Sequence, residues 1–239
     1  MKRTWFMLIA VVLTTCFLAN CAGPSGPSSA SDTGSTGGTN AQHKAPYTIG
    51  LSVFFEGNSW QAENVSLFQQ GCSTYGQQII KKCIVANANG STEQQIAQMH
   101  SMINAGVDAI VLDANSDTGL NNVVAQAMAA GIPVINYDSI ISGKATSKIN
   151  TDQNQWGVIT ANWLVKQLHG NVIVLNGLAG NPTNNLRYQY AQQLFAKTPG
   201  IHVLTVAYDE WDQAKAEANV GQMLDAYPKI DAVWSQGEP

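Results

Sequence analysis

From Tyr47 onward, short apolar runs rich in β-branched residues alternate with longer segments whose apolar positions recur at helical spacing. The runs at residues 48–54, 79–86, 109–113, 133–137, 146–149, 172–176, 202–207 and 232–235 read as strands covered on both faces. Between them, residues 59–75, 92–105, 120–130, 153–168, 184–197 and 212–227 read as helices. Ile96, Met99 and Ile103 give the second helix one apolar face, and Ser91 or Thr92 suits its N-cap. Gly106, Gly131 and Gly170 fall just past helix ends, where a left-handed residue is wanted. Repeated βα units imply an α/β fold of parallel sheets with helices on both faces. The rhythm slips near residues 142–152, where strand follows strand with no helix between. Asn150-Thr151-Asp152 reads as the crossing between two lobes, residues 46–150 and 151–239, with a hinge and a cleft between them.

The first 45 residues follow a different pattern. Lys2 and Arg3 precede an apolar stretch from Trp5 to Leu13 that is too short to span a bilayer. Leu18-Ala19-Asn20-Cys21 resembles a bacterial lipobox, with Asn20 in place of the usual small residue, so residues 1–21 are expected to be a signal peptide with Cys21 lipidated. Leu13-Thr14-Thr15-Cys16 is a second candidate, and an ordinary cleaved signal peptide is the plainer reading. Residues 22–45, rich in Gly, Ser, Thr and Pro, read as a flexible linker.

Composition narrows the function. A net charge of −4 argues against nucleic acid, which wants a basic face. Only 12% of residues are charged, a surface suited to neutral hydrogen-bonding ligands. Cys72 and Cys83 lie in the folded part of an exported chain. They are either bridged or two buried thiols. No CxxC or close Cys/His pair suggests a metal or other cofactor, and His43, His100, His169 and His202 are scattered. The motifs GxSxG, GxxxxGK[ST], HExxH and strand-following GxGxxG are absent, so no enzyme class is indicated.

Candidate chemistry sits at strand ends, where open α/β sheets bind ligands. One run is Phe54-Phe55-Glu56-Gly57-Asn58-Ser59-Trp60, and the other is Val134-Ile135-Asn136-Tyr137-Asp138-Ser139. Gly57, Gly177 and Gly180 read as turn glycines. Asp152 and Trp156, near the crossing, read as structural.

Four further fragments carry a resemblance: Thr48-Ile49-Gly50-Leu51-Ser52-Val53, Gly106-Val107-Asp108-Ala109-Ile110, Ala130-Gly131-Ile132-Pro133-Val134 and Ile230-Asp231-Ala232-Val233-Trp234. In their order and spacing the chain resembles, from about Tyr47 to Pro239, the type I periplasmic binding proteins of the ribose and galactose class, the substrate receptors of sugar ABC importers. The resemblance implies a two-lobed fold with a sugar in the interlobe cleft and a permease as partner. It implies ligand contacts at Phe54 or Phe55, Asn58, Trp60, Asp113 or Asn115, Asp138, Arg187 and Trp211. At two of the family's contacts this chain departs: Ser139 stands where an Arg is common, and Gly237 where an Asn is common. Family members continue through further βα units, so the second lobe is expected to be incomplete, its C-terminal part missing.

Such a site has a physical logic. Sugars present C–H faces and hydroxyl edges, so indole walls at Trp60 and Trp211 suit the faces. Carboxylates at Asp113 and Asp138 accept from hydroxyls, while Arg187 and Asn58 donate. The expected function is therefore capture of a monosaccharide or similar polyol, with membrane attachment through the lipid. A sugar sensor feeding a chemoreceptor or kinase shares every one of these features. An exported glycoside-acting enzyme would need a carboxylate pair that spacing alone does not exclude. A DNA-binding repressor of this fold would carry a helix-turn-helix where the export signal stands.

Overall fold

The computed structural model describes residues 44–237. The expected signal peptide with Cys16 and Cys21, most of the linker, and His43 lie outside the described residues. The elements run β1 (Tyr47–Val53), α1 (Ser59–Tyr75), β2 (Ile80–Asn87), α2 (Thr92–Asn104), β3 (Ala109–Leu112), α3 (Asn121–Ala129), β4 (Val134–Tyr137), β5 (Ser147–Ile149), α4 (Gln153–Gln167), β6 (Gly170–Asn176), α5 (Pro182–Lys197), β7 (Ile201–Tyr208), α6 (Gln213–Ala226) and β8 (Ala232–Ser235). They form a five-stranded sheet, β2-β1-β3-β4-β5, and a three-stranded sheet, β7-β6-β8, and every pairing is parallel.

Strand periodicity divides the apolar residues between two faces of each sheet. On β3, Ile110 and Leu112 join α2 and α3 in one core with Met99, Met102, Val123 and Val124. Val111, between them, faces the other way, toward Leu51, Val53 and the α1 residues Val65 and Phe68. The second sheet repeats the arrangement. Val172 and Val174 pack with Ala161, Leu164, Ala191 and Phe195 of α4 and α5. Ile173 and Leu175 pack with Met223 and Val220 of α6. The α/β expectation of parallel sheets with helices on both faces is borne out.

Local signals set the helix ends. The side chains of Asn58, Ser91, Asp152, Asn181 and Asp212 each accept a backbone N–H in the first turn of the following helix. Helix α5 starts two residues earlier than expected, with Pro182 at its first position, where the missing N–H costs nothing. Gly106 and Gly131 take positive φ past α2 and α3. Gly170 instead opens β6, and a Cβ there would strike the Asp231 carboxylate, so close approach rather than handedness demands glycine. Cys72 of α1 and Cys83 of β2 are joined in a disulfide, their Cα atoms 6.3 Å apart.

Candidate binding cleft

Because all strands of a sheet run parallel, their C-terminal ends share one edge, and the loops leaving that edge supply the site. A cleft of about 750 Å³ lies there, lined from both sheets. The first sheet contributes Phe54, Asn58, Trp60, Gln61 and Glu63 from the end of β1 into α1, and Asp138 from the end of β4. The second contributes Trp156 and Thr160 of α4, Thr183 and Arg187 of α5, Trp211 before α6, and Ser235 and Gly237 at the end of β8. This volume suits a small ligand.

Aromatic side chains form the walls. Trp211 meets Phe54 edge-on, with ring centroids 6.1 Å apart and an interplanar angle of 62°. The Trp211 ring lies against the backbone of Gly177 and Gly237: a Cβ on Gly177 would run into the ring, and one on Gly237 would come within 2.9 Å of it. Trp211 and its neighbour Glu210 both hold positive φ, +57° and +58°. Asp209 steadies this turn by accepting from Trp211 N at 3.0 Å. Strain of this kind persists only where surrounding contacts over-determine it. Trp60 stands half-exposed at the mouth. Phe55 does not line the cleft. It turns back over Gly57, which close approach again keeps as glycine.

The polar groups form a connected set. Asp138 has φ +51° and accepts at Oδ1 from Gln153 Nε2 at 3.1 Å. Arg187 donates from Nε to Gln153 Oε1 at 2.8 Å and from a terminal nitrogen to the Gln236 carbonyl at 2.8 Å. Its guanidinium also lies 4.8 Å from the Trp156 ring centroid, a cation–π stack. Burial pushes the Asp138 carboxyl above its ordinary range, opposed by the Arg187 charge and the Gln153 hydrogen bond. Burial lowers the Arg187 pKa, opposed by Asp138. Asn58 spends its side-chain oxygen on Gln61 N at 2.8 Å, capping α1, so its amide nitrogen is the end left for other work.

Three expected contact residues stand elsewhere. Asp113 ends the central strand of its sheet and is fully buried beneath the loops that follow β1 and β4. It accepts from Gln61 Nε2 at 2.7 Å and from Ser139 N at 3.3 Å, and so orients a lining residue instead of lining the cleft itself. Burial, with the nearby Asp138 charge, pushes its carboxyl well above the usual carboxylate range. Asn115 turns toward α2 and donates to the Gly90 carbonyl at 3.0 Å and to Thr92 Oγ1 at 2.8 Å. Ser139 is buried, its hydroxyl donating to Asn181 Oδ1 at 3.2 Å and lying 3.0 Å from Thr183 Oγ1. Asn181 in turn donates to the Ala114 carbonyl at 3.3 Å, so loops of the first sheet are tied to the start of α5. Trp156, expected to be structural, lines the cleft beneath Arg187. Gln61, Glu63, Gln153 and Thr183 were not singled out in the sequence. Their only signal is proximity to helix starts at strand ends.

Residues 49–239 match the family model described as a periplasmic binding protein domain. The chain belongs to this family. Among curated relatives, the ribose import binding protein RbsB of Bacillus subtilis is 25% identical over 202 residues, covering 83% of this chain and 64% of that protein. The D-xylose-binding periplasmic protein of Escherichia coli is 28% identical over 203 residues, covering 81% and 59%. Among solved structures, an ABC transporter solute binding protein from Thermobispora bispora superposes with a TM-score of 0.75 at 28% identity, covering 80% of this chain and 61% of that one. The fructose binding periplasmic domain of a hybrid two-component system superposes with a TM-score of 0.67 at 28% identity, covering 79% and 63%. This periplasmic binding protein chain thus spans less than two thirds of the length of these relatives. The resemblance read from the β1, β3, β4 and β8 fragments is borne out.

Proposed function

We propose that the chain is an extracytoplasmic solute-binding protein that holds a monosaccharide or similar polyol between two lobes and delivers it to an ABC permease. The observation that carries this reading is the cleft itself, where indole rings of Trp60 and Trp211 accompany Asp138, Asn58 and Arg187 at the ends of two sheets. Apolar walls with a few directed polar groups are what a sugar's faces and edges require. The relatives named for ribose and D-xylose support the ligand class. Ser139 and Gly237 contribute no side chain of the kind expected from ribose binders, so ribose itself is disfavoured. The membrane is reached through a lipid on Cys21 and the linker behind it. Radiolabelled fatty acid incorporated into wild type and lost in Cys21→Ala tests the anchor. Retained label in that variant transfers the site to Cys16.

A second reading, in which the closed form signals to a sensor kinase, is favoured by the structural likeness to the fructose binding domain of a two-component system. Calorimetry of the full chain in detergent against pentoses, hexoses and polyols tests the shared premise. Saturable heat with at least one of them is expected, and no heat with any would refute it. Genetic deletion then separates the roles, since an importer subunit is required for uptake and a sensor for induction.

A further inference from the structure

Gln153 does not line the cleft, yet it touches both of the cleft's opposed charges. It is the first residue of α4 and is 2% exposed. Its Oε1 accepts from Arg187 Nε at 2.8 Å, while its Nε2 donates to Asp138 Oδ1 at 3.1 Å. The same nitrogen lies within reach of Asn150 Oδ1 at 3.2 Å and Thr151 Oγ1 at 3.1 Å, both in the segment that leaves the first sheet. One amide therefore joins a carboxylate at the end of β4, a guanidinium on α5 and the crossing segment. Resting on the reading of the cleft as a polyol site, we propose that Gln153 is the positioning residue of that site, fixing Asp138 and Arg187 in one frame so that both meet the ligand together.

The chemistry of the amide explains the choice of residue. Asp138 needs a donor and Arg187 Nε needs an acceptor, and the Gln153 amide offers the two on separate atoms of one side-chain terminus without adding charge. A carboxylate would satisfy Arg187 and repel Asp138. An apolar side chain would leave both buried charges short of a partner. With its Nε held by Gln153 and a terminal nitrogen by the Gln236 carbonyl, Arg187 is pinned against Trp156, and its remaining N–H groups have a fixed direction. Loss of Gln153 frees that direction and the Asp138 rotamer at once.

The test uses whichever sugar gives the strongest calorimetric signal with wild type, and two variants. Gln153→Leu should raise Kd about tenfold or more. Gln153→Glu keeps the acceptor for Arg187 and can donate to Asp138 only when protonated. Its Kd relative to wild type should therefore fall toward one as pH is lowered from about 8 to about 5. The charged groups that face this position are Asp138, Asp113 behind it, Arg187, and Asp152 next to it on the chain; Gln153→Leu, measured over the same pH range, shows how much of any trend they contribute without a carboxyl at 153. A merely structural role would move stability and leave this ratio flat. A flat ratio overturns the proposal whatever Gln153→Leu does, including failure to fold. Wild type that binds no sugar or polyol overturns the reading of the cleft and this inference with it, a result recognisable because it appears before any substitution is made.

Discussion

Replacing Trp211 by Ala and by Gly deletes the same ring and separates two consequences of its position. The ring forms one wall of the cleft and meets Phe54 edge-on at 6.1 Å, a pair worth ~0.5–1.5 kcal/mol beyond buried area. Truncating a large aromatic at the centre of a binding surface costs ~2 kcal/mol or more. The ring pair is present with or without ligand and so counts toward stability, which leaves a binding loss of ~2 kcal/mol or more, a rise in Kd of about 30-fold or more, for both variants. Stability should differ between them. Position 211 has φ +57°, where a residue with a Cβ costs ~1–2 kcal/mol and glycine nothing. Glycine's extra freedom in the unfolded chain returns ~0.4–1 kcal/mol of that. Trp211→Gly should therefore be more stable than Trp211→Ala by ~0.5–1 kcal/mol, about 2 °C in Tm for a domain of this size. Calorimetric titration with a bound sugar reads the first quantity, and thermal unfolding without ligand reads the second. Binding within about threefold of wild type would remove Trp211 from the site. A glycine variant less stable than the alanine variant would refute the account of the turn.

Two further predictions concern groups outside the cleft lining. Cys72 and Cys83 are 11 positions apart, a loop whose closure entropy corresponds to ~3 kcal/mol, so Cys72→Ala/Cys83→Ala should lower unfolding stability by about that amount and leave sugar affinity unchanged; a loss under ~1 kcal/mol in denaturant titration would count against the loop-entropy argument. The Asp113 carboxyl is pushed well above its ordinary pKa by burial, so the folded protein retains protons that the unfolded chain releases, and this group's contribution falls as pH rises from the unfolded pKa through the folded one. Asp113→Asn should therefore gain stability relative to wild type as pH rises, and a difference that stays constant or shrinks between about pH 4 and about pH 8 would refute the assignment.

The sequence revealed the elements because each strand carries its own periodicity and each helix its own cap. Even the two-sided packing of β3 can be read from the run Ile110-Val111-Leu112, whose neighbours face opposite cores. The site was less legible, for a reason visible at Asp113. Position at a strand end does not distinguish the end of a central strand, which is roofed over, from the end of a strand whose loop opens on the cleft. Asp113 and Asp138 therefore looked equivalent, and only the stacking of loops separates them. Trp156 shows another limit. It sits in the first turn of α4, just past the crossing, where a packing role and a place in the cleft look alike, and its partner in the cleft is Arg187, 31 positions later. Contacts of that range leave no local trace in either segment.

The two departures from the family pattern have separate physical causes, and neither is a simple loss. Ser139 is buried with its hydroxyl against Asn181 and Thr183, so an arginine there would have to displace a bond between the first sheet's loops and α5. Gly237 lies under the Trp211 ring, with a virtual Cβ 2.9 Å from ring carbon Cδ1 and 3.1 Å from Nε1. That approach is closer than real Cβ atoms tolerate, and a ring wedged between Gly177 and Gly237 has no flexible end to yield. Restoring the family's residue by Gly237→Asn should therefore push Trp211 off its glycine bed and weaken binding by about tenfold or more, although the substitution adds a hydrogen-bonding group. Calorimetry gives the affinity, and the shift in tryptophan emission reports the displaced ring. Tighter binding by Gly237→Asn with unchanged emission would mean that the ring leaves room for a side chain, and the wall assigned to Trp211 would have to be redrawn.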